Sequence, residues 1–454
     1  MMDLGLLCVW LAFVVFGFIA PFVWALGYVW VDVLQPHRIS WSLLSSVPLA
    51  LIMAVGALLI YLLKDRRAPP RITLPHALIA ILAIWITLTT IWAVYPDRAW
   101  GKWDPSVKVL LFTLFMPFVF RSRVQIEAYV LILLFSAAGH LMPWGLKTLA
   151  TGGGYNQSLG LLGVNASPLA ESSTVAAVAI MFVPLIFWAR THSLIIPWTR
   201  IRTLGALGLA LIFLVASVGT FARTGLFGLA ILGVVMLARS KRRVMFAVLT
   251  LIAGAVLLSV TSDQWVERME TLRNVEGEGS AYTRVLVWQW TLGFAAEHPF
   301  GGGFESYLGN VLVMPPGADG VSVVQRGRAF HSIFFAVLGE HGYPGLALYV
   351  TILALVVIRM QRLAKKIRDI PDLAWAYDLA RASQLALVII LACGNFIDVS
   401  FLFIVWNIVA LLICLNNHVT VALKERGLAP VAASSTKPRA ALGPLRGTTI
   451  PQYR

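Results

Sequence analysis

The 454-residue chain contains few charged residues. Asp, Glu, Lys and Arg make up 13% of it, whereas 59% is hydrophobic and the mean hydropathy is +0.81. Soluble domains usually contain about 25% charged and roughly 45–50% apolar residues. The composition therefore excludes a soluble enzyme, a nucleic-acid-binding protein and a receptor with a single membrane anchor. It predicts an all-α polytopic membrane protein, for which lipid is the solvent of most of the chain.

Cysteines and the common nucleotide- or metal-binding motifs are also scarce. The three cysteines, Cys8, Cys393 and Cys414, lie in apolar runs and form neither a disulfide framework nor a metal-binding pattern. The sequence contains no Walker-type phosphate loop, no HExxH pair and no Asp-x-Asp in a predicted outside loop. We therefore expect no bound metal, no cofactor and no ATP-driven step.

Apolar runs predict about twelve membrane-spanning helices. The first run, 1–30, lacks the basic start and the cleavage site of a signal peptide, so it is predicted to be one membrane helix. The runs at 107–120 and 225–238 are short, which indicates helices that are tilted, longer than the run or re-entrant. The other nine runs lie at 43–63, 75–94, 128–147, 169–189, 204–220, 244–261, 332–358, 380–397 and 401–418.

The basic residues predict the orientation of these helices. With residue 1 in the cytoplasm, every short basic cluster falls on the inside, as the positive-inside rule requires: 64–71, 121–123, 190–202, 239–243, 359–381 and 424–454. Much of the net charge of +15 is then a topology signal. Four regions follow: helices one to nine in 1–261, a periplasmic loop domain in 262–331, helices ten to twelve in 332–418, and a disordered cytoplasmic tail in 419–454.

The long outside loop is the predicted place of the chemistry, because loops of this length usually have a function or structure of their own. Residues 262–330 carry charges of both signs. Within them, 281–297 is predicted to be a helix with Val285, Trp288, Leu292 and Ala295 on one face. A turn through three consecutive glycines, 301–303, follows it.

Two arginines are candidate phosphate ligands. Arg223 lies in a turn between two apolar runs, where it would either clamp a phosphate with its planar fork or extend to the membrane interface. Arg284 lies in the first turn of the predicted loop helix, where backbone N–H groups also favour an anion. The alternative for Arg284 is an ordinary ion pair with Glu276 or Glu278.

His331 is a candidate general base, because it lies where the loop re-enters the membrane and a neutral imidazole can take a proton near neutral pH. A structural histidine is the alternative. Glu340 and His341, farther along the same run, are predicted to be packing groups behind the site. In the Trp-rich outside loop 95–108, Lys108 is the best candidate for contacting a negatively charged lipid-linked substrate, although Trp at this depth is typical of an interfacial belt.

Three segments, in this order, resemble the O-antigen ligase and polymerase superfamily of bacterial envelope enzymes. Arg223-Thr224-Gly225 is similar to a short turn of that superfamily, and Arg284-x-x-x-Trp288 with the glycines 301–303 is similar to its loop helix and glycine turn. Residues 331–345 are similar to its His-led motif, with Ser332 where Asn is usual. Segments 35–38, 151–155 and 268–271 resemble a subgroup, the exosortase-associated O-glycosylation ligases.

The resemblance implies a glycosyltransferase of the bacterial inner membrane whose active site faces the periplasm. Its donor would be an undecaprenyl-pyrophosphate-linked glycan, transferred en bloc to a lipid A–core oligosaccharide, with membrane lipid around it and no nucleic acid partner. His331 would be the base, and Arg223, Arg284 and Lys108 would bind the pyrophosphate. The reaction would invert the sugar and need no metal.

Three other functions remain open at this point. The acceptor of such a transferase would be a protein in an O-oligosaccharyltransferase, or a second lipid-linked glycan in a polymerase. A transporter of lipid-linked glycans would share the many spans and the buried arginines. Transporters, however, tend to contain internal repeats and broken helices at the membrane midplane, whereas this sequence has no evident repeat and its candidate residues cluster on one face.

Overall fold

The computed structural model describes residues 2–154, 171–239, 279–314 and 322–427. The predicted span 244–261, the loop segment 262–278 and the tail beyond 427 lie outside the described residues. The chain forms two units, Met1–Val419 and Thr420–Arg454; in the second, the structure describes the end of a helix.

Most described residues are helical. In chain order the helices are α1 Met2–Ile19, α2 Phe22–Leu34, α3 Pro36–Ile39, α4 Leu49–Lys64, α5 Leu74–Ile91, α6 Pro96–Val119, α7 Arg123–Thr151, α8 Ser172–His192, α9 Thr199–Gly219, α10 Arg223–Arg239, α11 Gly279–Glu297, α12 Ile333–Ile367, α13 Ala374–Cys393 and α14 Phe403–Glu425. Among the described residues, eight helices are long and apolar enough to cross a membrane. The helical, polytopic class is therefore confirmed, whereas the count of twelve stays a prediction.

The first apolar run forms two antiparallel helices, so the prediction of one membrane helix over 1–30 is wrong. The chain reverses at Pro21, between α1 and α2. The rings of Phe13 and Trp30 lie 5.5 Å apart, and the Asp3 carboxylate accepts a hydrogen bond of 2.8 Å from the Ser40 hydroxyl. Proline lacks the N–H that would continue the first helix through this point.

The helices give the bundle two ends. The basic end carries Lys64, Arg67, Arg123, His192 and Arg202, and the loop end carries α11 and residues 298–314 and 322–332. Lys64 donates a 2.7 Å hydrogen bond to the carbonyl of Phe18, so the α1–α2 turn lies at the basic end. Asp3, at the other end of α1, therefore lies at the loop end. The prediction that residue 1 shares a side with the basic clusters is wrong, because the first run forms a hairpin instead of one helix.

The glycine turn docks into a kink of α12. Gly342 interrupts this helix with φ 66° and ψ −170°, and Pro344 has no N–H for the carbonyl of Glu340. Three backbone hydrogen bonds join the turn to the kink: Gly302 N to Gly339 O (3.0 Å), Gly303 N to Glu340 O (2.8 Å) and Tyr343 N to Pro299 O (3.0 Å). The turn thus satisfies carbonyls that the kink leaves without helical partners, which fixes the loop onto α12.

The loop helix α11 forms as predicted, but its buried face differs. Val287 and Ala295 are buried, whereas Val285 and Leu292, expected on the apolar face, are exposed. Thr291 is also buried, because its methyl group packs closely against Gly339 of α12. The loop also contains a two-stranded antiparallel sheet, β1 Val311–Val313 and β2 Val324–Arg326, which the all-helical prediction missed.

A candidate active site at the loop end

The first turns of α8, α10 and α12 lie close together at the loop end. The carbonyl of Gly394 accepts a 2.8 Å hydrogen bond from Ile333 N, at the start of α12. The preceding residue, Cys393, directs its thiol at the carbonyl of Thr224 in the first turn of α10 (3.6 Å). Gly225, in the same turn of α10, lies against α8, where an added Cβ would meet the methyl group of Ala176 at 3.1 Å. Helix N-termini carry partial positive charge, so their approach favours an anion between them.

Arg223 begins α10 after a tight turn. Phe221 in this turn has φ 53°, and the Thr220 hydroxyl donates to the carbonyl of Ser217 (2.8 Å). Gly154 N donates a 2.9 Å hydrogen bond to the carbonyl of Gly219, so the glycine segment after α7 supports the turn from the other side. The turn is therefore held from both sides, and Arg223 is placed at the loop end.

Arg284 is brought to His331 by α11. Trp288, one turn after Arg284, donates its indole N–H to the carbonyl of Phe330 (2.9 Å) and stacks on Phe335 at 5.1 Å. This arrangement fixes α11 against the residue that precedes His331. The Nε atom of Arg284 is buried and has no hydrogen-bond partner among the described residues. Such a donor is available to an anion that enters the site.

His331 is half-buried directly before α12, with a left-handed backbone at φ 48°. Burial lowers its pKa below the ordinary value of 6.5, and Arg284 lowers that pKa further, whereas Glu171 and Asp398 raise it and Arg328 lowers it. The net effect keeps the imidazole neutral at pH 7, which is the form that can accept a proton. Glu276 and Glu278, the alternative ion-pair partners predicted for Arg284, lie outside the described residues.

The structure adds a lysine-centred cluster that the sequence prediction missed. Its members, which we call the Lys102 cluster, are Lys102, Glu305, Glu340 and Asp398. The Lys102 ammonium lies 2.8 Å from Glu340 Oε1, 3.2 Å from Asp398 Oδ2 and 3.7 Å from Glu305 Oε1. These contacts connect α6, the segment after the glycine turn, α12 and the segment after α13.

Lys108, the predicted lysine ligand, lies elsewhere on α6. It forms a 2.6 Å ion pair with Asp104, and both side chains are more than half exposed, at 57% and 54%. Lys102 and Lys108 are six positions apart, which places them about 120° from each other around a helix. The role of Lys108 as a ligand stays a prediction, while Lys102 is the lysine that contacts buried carboxylates at this end of the bundle. No sequence motif distinguished the two.

Glu340 and His341 lie behind the site, as expected for packing groups. Both are fully buried. The Thr89 hydroxyl lies 2.7 Å from His341 Nδ1, and the Trp85 indole donates to the His341 carbonyl at 2.8 Å. Glu340 in addition accepts a hydrogen bond from the backbone N–H of Glu305 (3.1 Å), so it has a larger structural role than the sequence indicated.

Comparison with known families places the three predicted motifs within one of them. Residues 207–350, which include Arg223, Arg284 and His331, match the model of the O-antigen ligase family. The resemblance inferred from the motifs is thereby confirmed for this part of the chain. Residues 1–194 match a family of unknown function (DUF5935). No curated protein matches the chain.

Proposed function

We propose that this chain, which carries an O-antigen ligase domain, transfers a glycan en bloc from undecaprenyl pyrophosphate to a lipid A–core oligosaccharide at the periplasmic face of the bacterial inner membrane. The observation that supports this most is that α11, which carries Arg284, is hydrogen-bonded to the residue before His331, beside the first turns of α10 and α12. This arrangement combines donors for a pyrophosphate with a neutral base. Because the basic end lies opposite, the positive-inside rule favours a loop end on the outer side.

In the proposed reaction the acceptor hydroxyl attacks the anomeric carbon on the face opposite the pyrophosphate. His331 takes the hydroxyl proton as the new carbon–oxygen bond forms. The bond between the anomeric carbon and the pyrophosphate oxygen breaks, and undecaprenyl pyrophosphate leaves with the electron pair. The configuration of the sugar is inverted.

Arginine supplies the stabilisation of the leaving group in this mechanism. Negative charge increases on the pyrophosphate as the bond breaks, and preorganised guanidinium groups in a site shielded from water stabilise it. Arg284 has an available buried donor for this purpose, and Arg223 lies at the start of a helix. The donor already carries a good leaving group, so neither a nucleotide nor a metal ion enters the proposal.

The central test is transfer of lipid-linked glycan to lipid A–core by the purified protein, in excess EDTA. His331→Ala should reduce kcat by about 10²- to 10⁴-fold, the usual contribution of one general base, while donor binding stays near normal. His298→Ala is the matched control, because His298 is exposed and its ring stacks on Phe294, one turn earlier in the chain. It should transfer at the normal rate.

Two outcomes would contradict the proposal. Near-normal turnover of His331→Ala would show that the base lies elsewhere. Loss of transfer in EDTA, with recovery on adding Mg²⁺, would contradict the metal-independent mechanism. Offering a protein or a second lipid-linked glycan as acceptor in the same assay distinguishes the ligase from an oligosaccharyltransferase and a polymerase.

A further inference from the structure

We propose that the membrane part of the chain contains a binding site for one Na⁺ ion, formed around the carboxylate of Asp32. The site is a small cavity between α2, α6, α7 and α14. Its polar lining consists of side chains that carry oxygen: Tyr28, Asp32, Thr113, Tyr129 and Asn407. None of these residues belongs to the proposed transfer site, so this inference does not depend on the proposed function.

Asp32 is an acidic residue without a counter-charge among the described residues. It lies in the last turn of α2, between Val31 and Val33, which are fully buried. No described residue forms an ion pair or a hydrogen bond with its carboxylate. A carboxylate inside a membrane protein is costly, and such residues usually pair with a cation or mark a binding site for an ion. The described helices therefore leave one negative charge to be compensated by an occupant of the cavity.

Two hydroxyl groups of the cavity direct their protons away from Asp32. The Thr113 hydroxyl donates to a backbone carbonyl one turn earlier on α6 (2.8 Å), and the Tyr129 hydroxyl donates to Asn407 Oδ1 (2.6 Å). Since these oxygen acceptors have no proton to give, the hydroxyl groups must be the donors. Both hydroxyl oxygens keep a lone pair, which suits a cation.

The walls of the cavity are fixed by aromatic stacking. The ring of Tyr28 stacks on that of Phe112 with centroids 3.4 Å apart, and the ring of Tyr129 stacks on that of Phe120 at 4.6 Å. Phe112 lies on α6 and Phe120 directly follows it, so α2 and α7 are both held against α6. The oxygens are therefore in place before an ion binds, which lowers the entropic cost of binding.

The size and charge of the cavity favour Na⁺ over other cations. The cavity has room for about one water molecule, so a cation must enter without its hydration shell. Carboxylate and neutral oxygens are the ligands of hard cations, and one carboxylate balances a single positive charge. Mg²⁺ keeps several of its water molecules and needs more negative charge than one carboxylate supplies. K⁺ is larger than Na⁺ and fits the cavity less well.

The site joins helices from the two sides of the O-antigen ligase domain. Helices α2, α6 and α7 precede residues 207–350, and α14 follows them. An ion bound between these helices should therefore stabilise the folded bundle. The sequence predicted no bound metal because these residues form no motif; only the fold brings them together. EDTA does not retain Na⁺, so the site is compatible with transfer in excess EDTA.

The test is thermal unfolding of the purified full-length protein in detergent. The protein is kept in Na⁺-free choline chloride, and NaCl replaces choline chloride at constant ionic strength. NaCl should raise the unfolding midpoint by about 2 °C or more and the effect should saturate, because a ligand that binds only the folded protein stabilises it. KCl should have a smaller effect. Binding of radioactive Na⁺, measured by scintillation proximity, should saturate at a single ion per chain.

Two variants test whether the ion lies in this cavity. Asp32→Asn keeps the size of the side chain but removes its charge, and it should abolish both the response to NaCl and the binding of Na⁺. Thr113→Val removes one oxygen ligand and should raise the NaCl concentration for half the effect by about 5-fold or more. Asp97→Asn is the matched control, because Asp97 is an exposed acid on α6. It should respond to NaCl as the wild type does.

Three results would overturn the inference. The first is a wild-type protein on which NaCl and KCl act equally, and the second is an Asp32→Asn protein that still binds Na⁺. The third is a wild-type protein that binds no Na⁺ while Asp32→Asn raises the midpoint, which would show that Asp32 takes up a proton instead. If Asp32→Asn does not fold, Na⁺ binding by the wild type and by Thr113→Val decides. None of these readouts uses glycan transfer, so a failure of the proposed function is a separate result.

Discussion

At the scale of single residues, the proposed site uses arginine rather than positive charge in general. The guanidinium of Arg284 presents several N–H donors in one plane, which match two oxygens of a phosphate, whereas lysine offers a compact charge. The structure leaves one buried donor of Arg284 without a partner among the described residues. A planar anion-binding group is therefore already in place beside the proposed base.

Arg284→Ala should weaken donor binding and slow transfer together, because the lost contact acts in both the bound state and the transition state. A hydrogen bond to a charged group contributes about 1.5–3 kcal/mol, which corresponds to roughly 10- to 100-fold in kcat/KM. Arg284→Lys should recover only part of this loss. The measurement is transfer kinetics with donor binding for each variant.

The control for this series is Arg326→Ala, since Arg326 is exposed on β2. It should behave as the wild type. Full activity of Arg284→Lys would show that a point charge is enough and that the bidentate role is wrong.

The residues of the candidate site differ in how far the sequence could identify them. Arg223 and His331 are predicted because charged and titratable groups beside apolar runs are costly and need a reason, and Arg284 is predicted because it opens the loop helix. Lys102 was missed because Lys108 lies in the same basic, Trp-rich segment, and only the fold shows which of the two faces the carboxylates. Asp398 is a single acid between two helices, and its partners are distant in sequence.

At the scale of elements, the kink of α12 explains why its glycines and those of the loop turn are needed together. Gly342 has a φ of 66°, a backbone conformation that other residues rarely adopt, and a Cβ there would overlap the carbonyl of Pro299. A Cβ on Gly303 would overlap Ala93 at the end of α5. The backbones of three segments therefore approach each other too closely for side chains.

Gly342→Ala should destabilise the protein and abolish most transfer, because the docked turn leads to Glu305 of the Lys102 cluster. The backbone strain alone costs about 1–3 kcal/mol. The measurement is the midpoint of thermal unfolding in detergent, together with turnover. Gly293→Ala is the matched control: Gly293 lies within α11, and no atom of the described residues lies within 4 Å of an added Cβ. It should leave stability unchanged or raise it, and a Gly342→Ala protein as stable as that control would disprove the docking argument.

Most helices of the bundle could be predicted from hydropathy, because a lipid solvent requires long apolar helices. Two features could not. Run 1–30 is continuously apolar, and its reversal at Pro21 depends on how the rings of Phe13 and Trp30 pack, which composition does not show. The buried face of α11 was mispredicted because Thr291 packs against Gly339 while Leu292 remains exposed.

At the scale of the whole molecule, the α1–α2 hairpin changes the end of the bundle at which the first residues lie. Following the chain from the loop end at Asp3, α1 leads to the basic end, α2 returns, and α4 leads back to Lys64. From there α5 runs to Ala93, which lies against the glycine turn. The later helices keep the predicted alternation, so the hairpin corrects the position of the first residues without moving the candidate site.

This arrangement makes a prediction that tests both the hairpin and the orientation of the site. Single cysteines are placed at Ser46, Arg326 and Arg66, all exposed, in a Cys8→Ser background, since Cys8 is the exposed cysteine and Cys393 and Cys414 are buried. A membrane-impermeant maleimide added to spheroplasts should label Ser46→Cys and Arg326→Cys, because both lie at the loop end, which the proposal places outside. Arg66→Cys should react only after the membrane is opened, because it lies at the basic end.

Two labelling results would contradict these claims. If Ser46→Cys behaves like Arg66→Cys, the hairpin is wrong. If Arg326→Cys is protected while Arg66→Cys reacts, the site faces the cytoplasm and the proposed periplasmic transfer fails.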